Sequence, residues 1–178
     1  RVMFFDIEVE VTEGFPDVMK ATNVITSIAA YDSTAEKYFT YCFDPHKRLQ
    51  NYTKDDQTVE FYETEYEMLN KFFQKYLEIR PTIVSGWNSD FFDIPYLYNR
   101  AVRVLGPEVA NLLSPISEIG YSEFTKKHRI AGVSSMDYLL LYKQFTFTQQ
   151  SSYRLDYIGE QEVGMKKVGY EGTLNDLY

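Results

Sequence analysis

Two acidic residues, Asp6 and Glu8, stand two positions apart in an apolar stretch at the start of the chain, residues 1–10. The β-branched and aromatic content of this stretch predicts a β-strand, and side chains on a strand alternate between its two faces. Asp6 and Glu8 therefore share one face, and the apolar residues beside them share the other. Two like charges this close repel each other unless cations compensate them, and Mg²⁺ and Mn²⁺ prefer carboxylate oxygens. The spacing predicts either a divalent-metal site on a central strand or an edge strand whose acidic face contacts water.

A third acidic residue, Asp93, stands at the predicted junction between a strand and a helix. The strand covers Thr82–Trp87, and the helix is expected to begin near Pro95 and to end near Leu105, since Asp and Pro are common at helix starts. Ligand sites of open α/β sheets gather at strand ends, so Asp93 can join the first two carboxylates around one metal site if the two strands are neighbours. The alternative is that Asp93 caps the N-terminus of the helix, a position that Asp commonly occupies.

The elements that must position these residues follow an α/β pattern. A short polar turn separates two apolar runs, Asn23–Tyr31 and Lys37–Phe43, and predicts an antiparallel hairpin. Thr64 and Glu67 form a capping-box pattern before a helix that should end near Arg80, because a proline follows. Strands followed by helix, strand and helix predict one domain around a mixed sheet.

The remaining segments carry weaker signals. The sequence predicts a turn at 12–17, a loop at Pro45–Gln57, a strand at Thr58–Tyr62, a short helix at Pro107–Leu113, an irregular segment or hairpin at Ser114–Gly132, a helix at Leu155–Gln161 and a polar tail at Gly169–Tyr178. Met136–Phe145 is apolar on several faces, and its pattern is compatible with a strand or a helix.

Composition excludes several classes of protein. A net charge of −8 argues against binding duplex DNA through a broad basic surface, but it is compatible with an acidic nuclease site that metal ions neutralise. The single cysteine, Cys42, excludes an internal disulfide framework. No apolar run is long enough to cross a membrane, so we expect no membrane partner. The chain begins within a strand and without a methionine, so we expect an excised piece of a longer protein.

Two short motifs resemble those of a known family. The run Phe5-Asp6-Ile7-Glu8 resembles the first exonuclease motif of family B DNA polymerases, and Asn88 with Phe92-Asp93-Ile94-Pro95-Tyr96 resembles the second. The likeness to the T-even-type bacteriophage branch extends through Glu8–Met19, Gly86-Trp87-Asn88, Leu113-Ser114-Pro115, Asp137-Tyr138 and Ser152–Ile158. These segments cover nearly the whole chain in the order found in that branch.

The resemblance implies a fold, a reaction and a cofactor. The fold is RNase H-like, as in DnaQ-like exonucleases, with a mixed sheet flanked by helices, and the reaction is 3′→5′ proofreading of DNA. In the family, carboxylates at the positions of Asp6, Glu8 and Asp93 are catalytic and hold two Mg²⁺ or Mn²⁺ ions. One ion activates the attacking water, and the other stabilises the leaving 3′ oxygen.

The resemblance also implies a substrate and a setting. Asn88 and Phe92 match motif positions beside the frayed primer end, and Phe15, by its place after the first motif, is expected to stack on a base of any kind. The alternative for each of the three is packing or turn formation. The implied partners are the single-stranded 3′ end of primer DNA and the polymerase domain of a parent protein. The implied location is the cytoplasm of an infected bacterial host during viral replication.

The chain departs from the family pattern at its C-terminal side. The third motif, a helix with Tyr-x-x-x-Asp, should follow the segment that ends at Tyr178, and Tyr52–Asp56 has its letters but lies too early. We therefore expect residues 1–178 to be a single exonuclease domain that is truncated at its C-terminus, without the N-terminal and polymerase domains, and inactive or weak in isolation. Asp137 and Asp156 are possible replacements for the missing ligand, but capping and structural roles are expected for both.

Three questions stay open at this stage. The segment Ile116–Ala131 occupies the place of the strand-separating hairpin of phage relatives and is short for that role. A non-catalytic fragment that binds only metal or single-stranded DNA is one alternative function. A free-standing DnaQ-like exonuclease is another, disfavoured because the likeness to phage polymerases extends beyond the motifs.

Overall fold

A seven-stranded mixed sheet forms the centre of the fold, with strand order β4-β5-β3-β2-β1-β6-β9. The computed structural model describes residues 1–11, 14–166 and 168, so the predicted polar tail and part of the predicted 12–17 turn lie outside the described residues. The strands of this sheet are β1 Val2–Val9, β2 Ile25–Asp32, β3 Lys37–Phe43, β4 Tyr52–Lys54, β5 Gln57–Tyr62, β6 Ile83–Ser85 and β9 Ser134–Ser135. A separate hairpin pairs β7 Ile119–Ser122 with β8 Lys127–Ile130. The helices are α1 Glu65–Ile79, α2 Asp93–Val104, α3 Pro107–Ala110, α4 Tyr138–Phe145 and α5 Leu155–Val163, with a 3₁₀ turn at Asn111–Leu113.

The strand that carries the first two carboxylates is central. β1 pairs antiparallel with β2 on one side and parallel with β6 on the other, so the hypothesis of an edge strand is wrong. Its alternation is as predicted, with Phe5 and Ile7 buried and with Asp6 and Glu8 exposed. A central strand can thus keep two exposed carboxylates, because only one face of this part of the sheet is covered by the core.

The covered face packs against α1. Thr64 caps this helix, and its Oγ1 accepts the Glu67 N–H at 3.2 Å, as the capping-box pattern predicts. The helix ends where Arg80 adopts a left-handed backbone with φ of 48°. Buried apolar residues at helical spacing complete the contact with the sheet: Met68, Leu69, Phe72, Phe73, Tyr76 and Ile79. The predicted hairpin of β2 and β3 is confirmed as an antiparallel pair.

The structure corrects the sequence prediction in one segment and resolves an ambiguity in another. The loop predicted at Pro45–Gln57 contains β4, a three-residue strand that pairs antiparallel with β5. All three of its residues are exposed, so no alternation of apolar residues marks the strand in the sequence. The ambiguous segment Met136–Phe145 contains the helix α4, and none of the residues of this helix, Tyr138–Phe145, is buried. Among the described residues, no helix has both the length and the apolar character needed to cross a membrane.

Candidate active site

A cleft of about 540 Å³ opens on the exposed face of β1. The residues singled out from the sequence all contribute to its lining: Asp6, Glu8, Phe15, Asn88, Phe92 and Asp93. They come from three separate parts of the chain, namely β1, the segment after it and the turn that leads into α2. The parallel pairing of β1 with β6 brings these parts together, because the turn follows β6 directly.

Asp93 connects α2 to β1. It is the first residue of α2, whose N-cap is Phe92, so the hypothesis that Asp93 is the N-cap is wrong. Its Oδ1 instead accepts the backbone N–H of Ile7 at 3.0 Å, between the positions of Asp6 and Glu8 on the strand. The side chain is only 2% exposed. This bond fixes the third carboxylate beside the other two.

The electrostatics of Asp93 are those of a buried carboxyl next to another negative charge. Burial, the largest cause, and the charge of Asp6 together raise the pKa of Asp93 to about 7, although the hydrogen bond from the Ile7 N–H lowers it. Both burial and the charge of Asp6 make the ionised form of Asp93 unfavourable near neutral pH. A cation in the cleft would relieve this cost by favouring the charged form.

This raised pKa predicts that stability depends on pH in the absence of metal. An unfolded Asp ionises near pH 4, whereas folded Asp93 keeps its proton until about pH 7, so the folded state binds more protons in this window. The free energy of unfolding should therefore fall as pH rises from 4 to 7, by up to about 4 kcal/mol from this group. Urea unfolding in EDTA at pH values from 4 to 7 measures this dependence of the free energy of unfolding on pH. Asp93→Asn keeps an oxygen for the Ile7 N–H and should lose this part of the slope; an unchanged slope would contradict the assignment.

The donor set has the chemistry of a site for hard cations. Carboxylate oxygens are the ligands that Mg²⁺ and Mn²⁺ prefer, and four carboxylates line the cleft, those of Asp6, Glu8, Asp93 and Asp156. As the described residues are placed, no three of their His, Cys, Asp or Glu side chains are grouped closely enough to hold a metal ion. The residue types and the raised pKa of Asp93 fit a divalent cation, which would have to draw the carboxylates closer together.

The turn between β6 and α2 approaches β1 closely. A Cβ on Gly86 would lie 2.6 Å from the backbone oxygen of Phe5, so only glycine fits there without a shift. Asn88 then adopts a left-handed backbone with φ of 63°. Within the same lining, Phe15 contacts Phe92 with ring centroids 5.3 Å apart, yet Phe15 remains 82% exposed. One aromatic face is thus available to a ligand at the mouth of the cleft.

Other residues of the cleft come from α5 and from the segment that leads into it. Arg154 and Asp156 lie at the beginning of α5 and line the cleft wall. The indole N–H of Trp87 donates to the Tyr153 backbone oxygen at 3.0 Å and holds this segment in place. The expected capping role of Asp137 is confirmed, since it is the N-cap of α4, whereas Asp156 lies inside the first turn of α5. Spacing along the sequence does not reveal that α5 reaches the cleft.

A central strand with two carboxylates, a third carboxylate at the start of the adjoining helix and a mixed sheet with flanking helices define an RNase H-like exonuclease fold. The sequence model of DNA polymerase family B, exonuclease domain, matches residues 1–158. The chain belongs to this family, for which nuclease activity is characteristic.

Relatives among known proteins agree with this assignment. The chain is 31% identical over 204 residues to the DNA-directed DNA polymerase of Escherichia phage RB69, and 32% identical over 206 residues to that of Enterobacteria phage T4. Each alignment covers 99% of this chain but only 23% of the relative. DNA polymerase 1 of Saccharolobus solfataricus is 38% identical over 101 residues, which are 56% of this chain and 11% of that protein.

Proposed function

We propose that this chain is the proofreading 3′→5′ exonuclease part of a viral DNA-directed DNA polymerase. It would hydrolyse mispaired nucleotides from single-stranded 3′ ends and release nucleoside monophosphates. The observation that carries this proposal is the bond from the Ile7 N–H to Asp93, which sets a buried carboxylate beside Asp6 and Glu8 in one cleft. Membership in the exonuclease-domain family supports it.

Asp6, Glu8 and Asp93 are the residues that we propose to hold two Mg²⁺ or Mn²⁺ ions. When bound, such ions activate a water molecule and stabilise the leaving 3′ oxygen. The chain contributes the negative charge that retains them. Asp93 is held by Ile7 and shielded from bulk water, and the two exposed carboxylates on β1 are accessible from the cleft.

The aromatic rim suits a substrate of any sequence. Phe15 and Phe92 are in contact, and the exposed ring of Phe15 offers a flat apolar surface on which a terminal base can stack. Stacking is sequence-tolerant because every base has a π face. Asn88, in the same lining, supplies a side-chain amide for the sugar or base of the frayed end.

We further propose that residues 1–178 are one domain of a longer polymerase polypeptide. The phage relatives are about four times as long as the stretch they share with this chain, as the 23% coverage indicates. The partners of this domain would be the polymerase domain of the same polypeptide and the primer 3′ end. The setting would be viral replication in an infected bacterium, and a further metal ligand would come from beyond Tyr178.

The test is hydrolysis of a single-stranded oligonucleotide labelled at its 3′ or at its 5′ end. It is run on residues 1–178 and on the longer polypeptide, with Mn²⁺, with Mg²⁺ and with EDTA. The proposal predicts that the 3′ label leaves first as a mononucleotide, that EDTA stops its release and that the longer polypeptide is much faster. Loss of the 5′ label first, or hydrolysis that continues in EDTA, would contradict it.

Arg154 gives a separate prediction about substrate binding. It is a cation in the lining of an otherwise acidic cleft, and none of the ion pairs among the described residues involves it. An Arg guanidinium binds phosphate through two parallel hydrogen bonds. Arg154→Ala should therefore raise the KM for single-stranded DNA with little change in kcat. The slope of log affinity against log salt concentration should become shallower by the amount that about one phosphate contact contributes. Arg154→Lys should retain part of the affinity. A fall in kcat as large as the rise in KM, or an unchanged KM, would count against this role.

A further inference from the structure

The turn of residues 88–90 must be held in place by contacts from outside. It carries Asn88 into the cleft and leads directly to the start of α2, where Asp93 lies. The left-handed backbone of Asn88 is unusual for a residue with a side chain, and such conformations persist only where the surroundings impose them. Within the segment, the Asn88 backbone oxygen accepts the N–H groups of Phe91 and Phe92 at 3.1 and 3.2 Å. These bonds leave the N–H groups of the turn itself to other partners.

The buried carboxylate of Asp137 accepts those N–H groups. Its Oδ1 accepts the N–H of Asn88 at 3.1 Å, and its Oδ2 accepts the N–H of Asp90 at 3.2 Å. The same Oδ1 accepts the N–H of Leu139 at 2.9 Å and so caps α4. Asp137 is 3% exposed and lies 49 positions along the chain from Asn88. One side chain therefore joins the start of α4 to the turn beside the candidate active site.

A second buried carboxylate holds the same turn from its other side. Asp90 is 9% exposed, and its Oδ2 pairs with Lys127 Nζ of β8 at 2.7 Å. Its Oδ1 accepts a short hydrogen bond from the hydroxyl of Ser135 in β9. The Lys127 ammonium also lies 4.8 Å from the ring centroid of Phe91. The turn is thus fixed to the hairpin and to the edge of the sheet as well as to α4.

The chemistry at Asp137 requires a carboxylate. N–H groups approach both of its oxygens, and an ionised carboxylate offers acceptors at both positions. An Asn side chain offers one oxygen and one NH₂ group, so one of the two turn N–H groups would face another donor. Because its oxygens already accept these bonds, Asp137 is better suited to orient the turn than to replace a missing metal ligand.

We propose that Asp137 is a positioning residue of this site: its carboxylate fixes the 88–90 turn and thereby places Asn88 and Asp93. The link to hydrolysis rests on the proposed exonuclease function, whereas the geometric part rests on the bonds above. Partners that orient metal ligands from the next layer of residues commonly change metal affinity or activity by 10–100-fold when replaced. An effect of about that size is expected here.

The experiment compares Asp137→Asn with Asp137→Ser and with a matched control. Serine keeps one acceptor for the cap of α4 but lacks the second oxygen, so it separates capping from turn fixation. The control is Asp32→Asn, because Asp32 is also buried and also accepts a turn N–H, that of Thr34 at 2.8 Å, but it lies at the end of β2 and is not among the described residues that line the cleft. Two quantities are measured. The first is hydrogen exchange of the Asn88 and Asp90 amides, and the second is the fluorescence of the single tryptophan, Trp87, which contacts Tyr138.

Both Asp137 variants should accelerate exchange of the Asn88 and Asp90 amides by about tenfold or more beyond any global change, and should shift the emission of Trp87. They should also lower kcat or Mn²⁺ affinity by about 10–100-fold with a smaller change in KM. Asp32→Asn should do neither. Unchanged amide exchange in Asp137→Ser, or equal losses of kcat in Asp32→Asn, would overturn the proposal. A wild-type protein that neither binds Mn²⁺ nor hydrolyses DNA would refute the proposed function, while amide exchange would still decide the role of Asp137 in the turn.

Discussion

Replacing Asp93 with Asn is expected to lower the hydrolysis of single-stranded DNA by roughly a thousandfold, the scale of loss when a group that stabilises charge in an active site is removed. The substitution preserves shape, and the Asn oxygen can still accept the N–H of Ile7, so α2 should stay attached to β1. What disappears is the negative charge that a divalent cation needs. Asp6→Asn, on the exposed face of β1, should have a similar effect for the same reason.

The control for these variants is Glu10→Gln. Glu10 follows directly after β1 and is not among the described residues that line the cleft, so the loss of its charge should leave the rate within a few-fold of wild type. Rates are compared on a 3′-labelled oligonucleotide in polypeptides of equal length, after circular dichroism has shown equal folding. If folded Asp93→Asn retained more than about a tenth of the wild-type rate, the proposed catalytic role of this carboxylate would be wrong.

The largest expected effect on stability belongs to Arg100. Its guanidinium forms a two-point ion pair with Glu65, with Nη2–Oε2 at 2.5 Å and Nε–Oε1 at 2.8 Å. The Glu65 carboxylate also accepts the N–H of Ile25 at the start of β2, while Arg100 Nη1 donates to the backbone oxygens of Ala21 and Thr22. The pair therefore joins α1, α2 and the segment before β2, and both side chains are largely buried.

Arg100→Ala should lower the free energy of unfolding by about 3–5 kcal/mol, because it leaves the Glu65 carboxylate buried without its counter-ion. Urea denaturation at pH 7 measures this loss. The exposed pair of Lys126 and Glu123 supplies the comparison, and Lys126→Ala should leave the unfolding midpoint unchanged. A loss below about 1 kcal/mol for Arg100→Ala would show that water or another group compensates Glu65 in the variant.

The alternation of β1 and the capping box of α1 were predictable because each depends on neighbours in the sequence. Period-two alternation separates Asp6 and Glu8 from the apolar residues of the strand, and Thr64 bonds to a residue three positions away. Local patterns of this kind locate elements and indicate which face they bury. They do not indicate whether the other face is covered, and in the structure Asp6 and Glu8 are exposed on that face whereas Asp93 is buried.

What the sequence did not predict depends on contacts between distant segments. The ambiguity of α4 is resolved by the cap at Asp137, which also binds the turn at Asn88, far away in the chain. The short strand β4 exists only because β5 pairs with it, and its exposed residues carry no pattern. Arg154 reaches the cleft because Trp87 holds the preceding residue, a contact across 66 positions. The carboxylates of the candidate site could be predicted from motifs, whereas the residues that support them could not.

The central claim is that the cleft formed by Asp6, Glu8 and Asp93 binds divalent cations. Anomalous diffraction from Mn²⁺ in crystals of this chain tests it most directly, with Asp93→Asn crystals soaked under the same conditions. The account predicts density at the distances of oxygen-bound hard cations, about 2.0–2.6 Å from carboxylate oxygens of Asp6 and Asp93, and its loss or marked weakening in the variant. Absence of density in the cleft at millimolar Mn²⁺, or density of equal strength in Asp93→Asn, would contradict it.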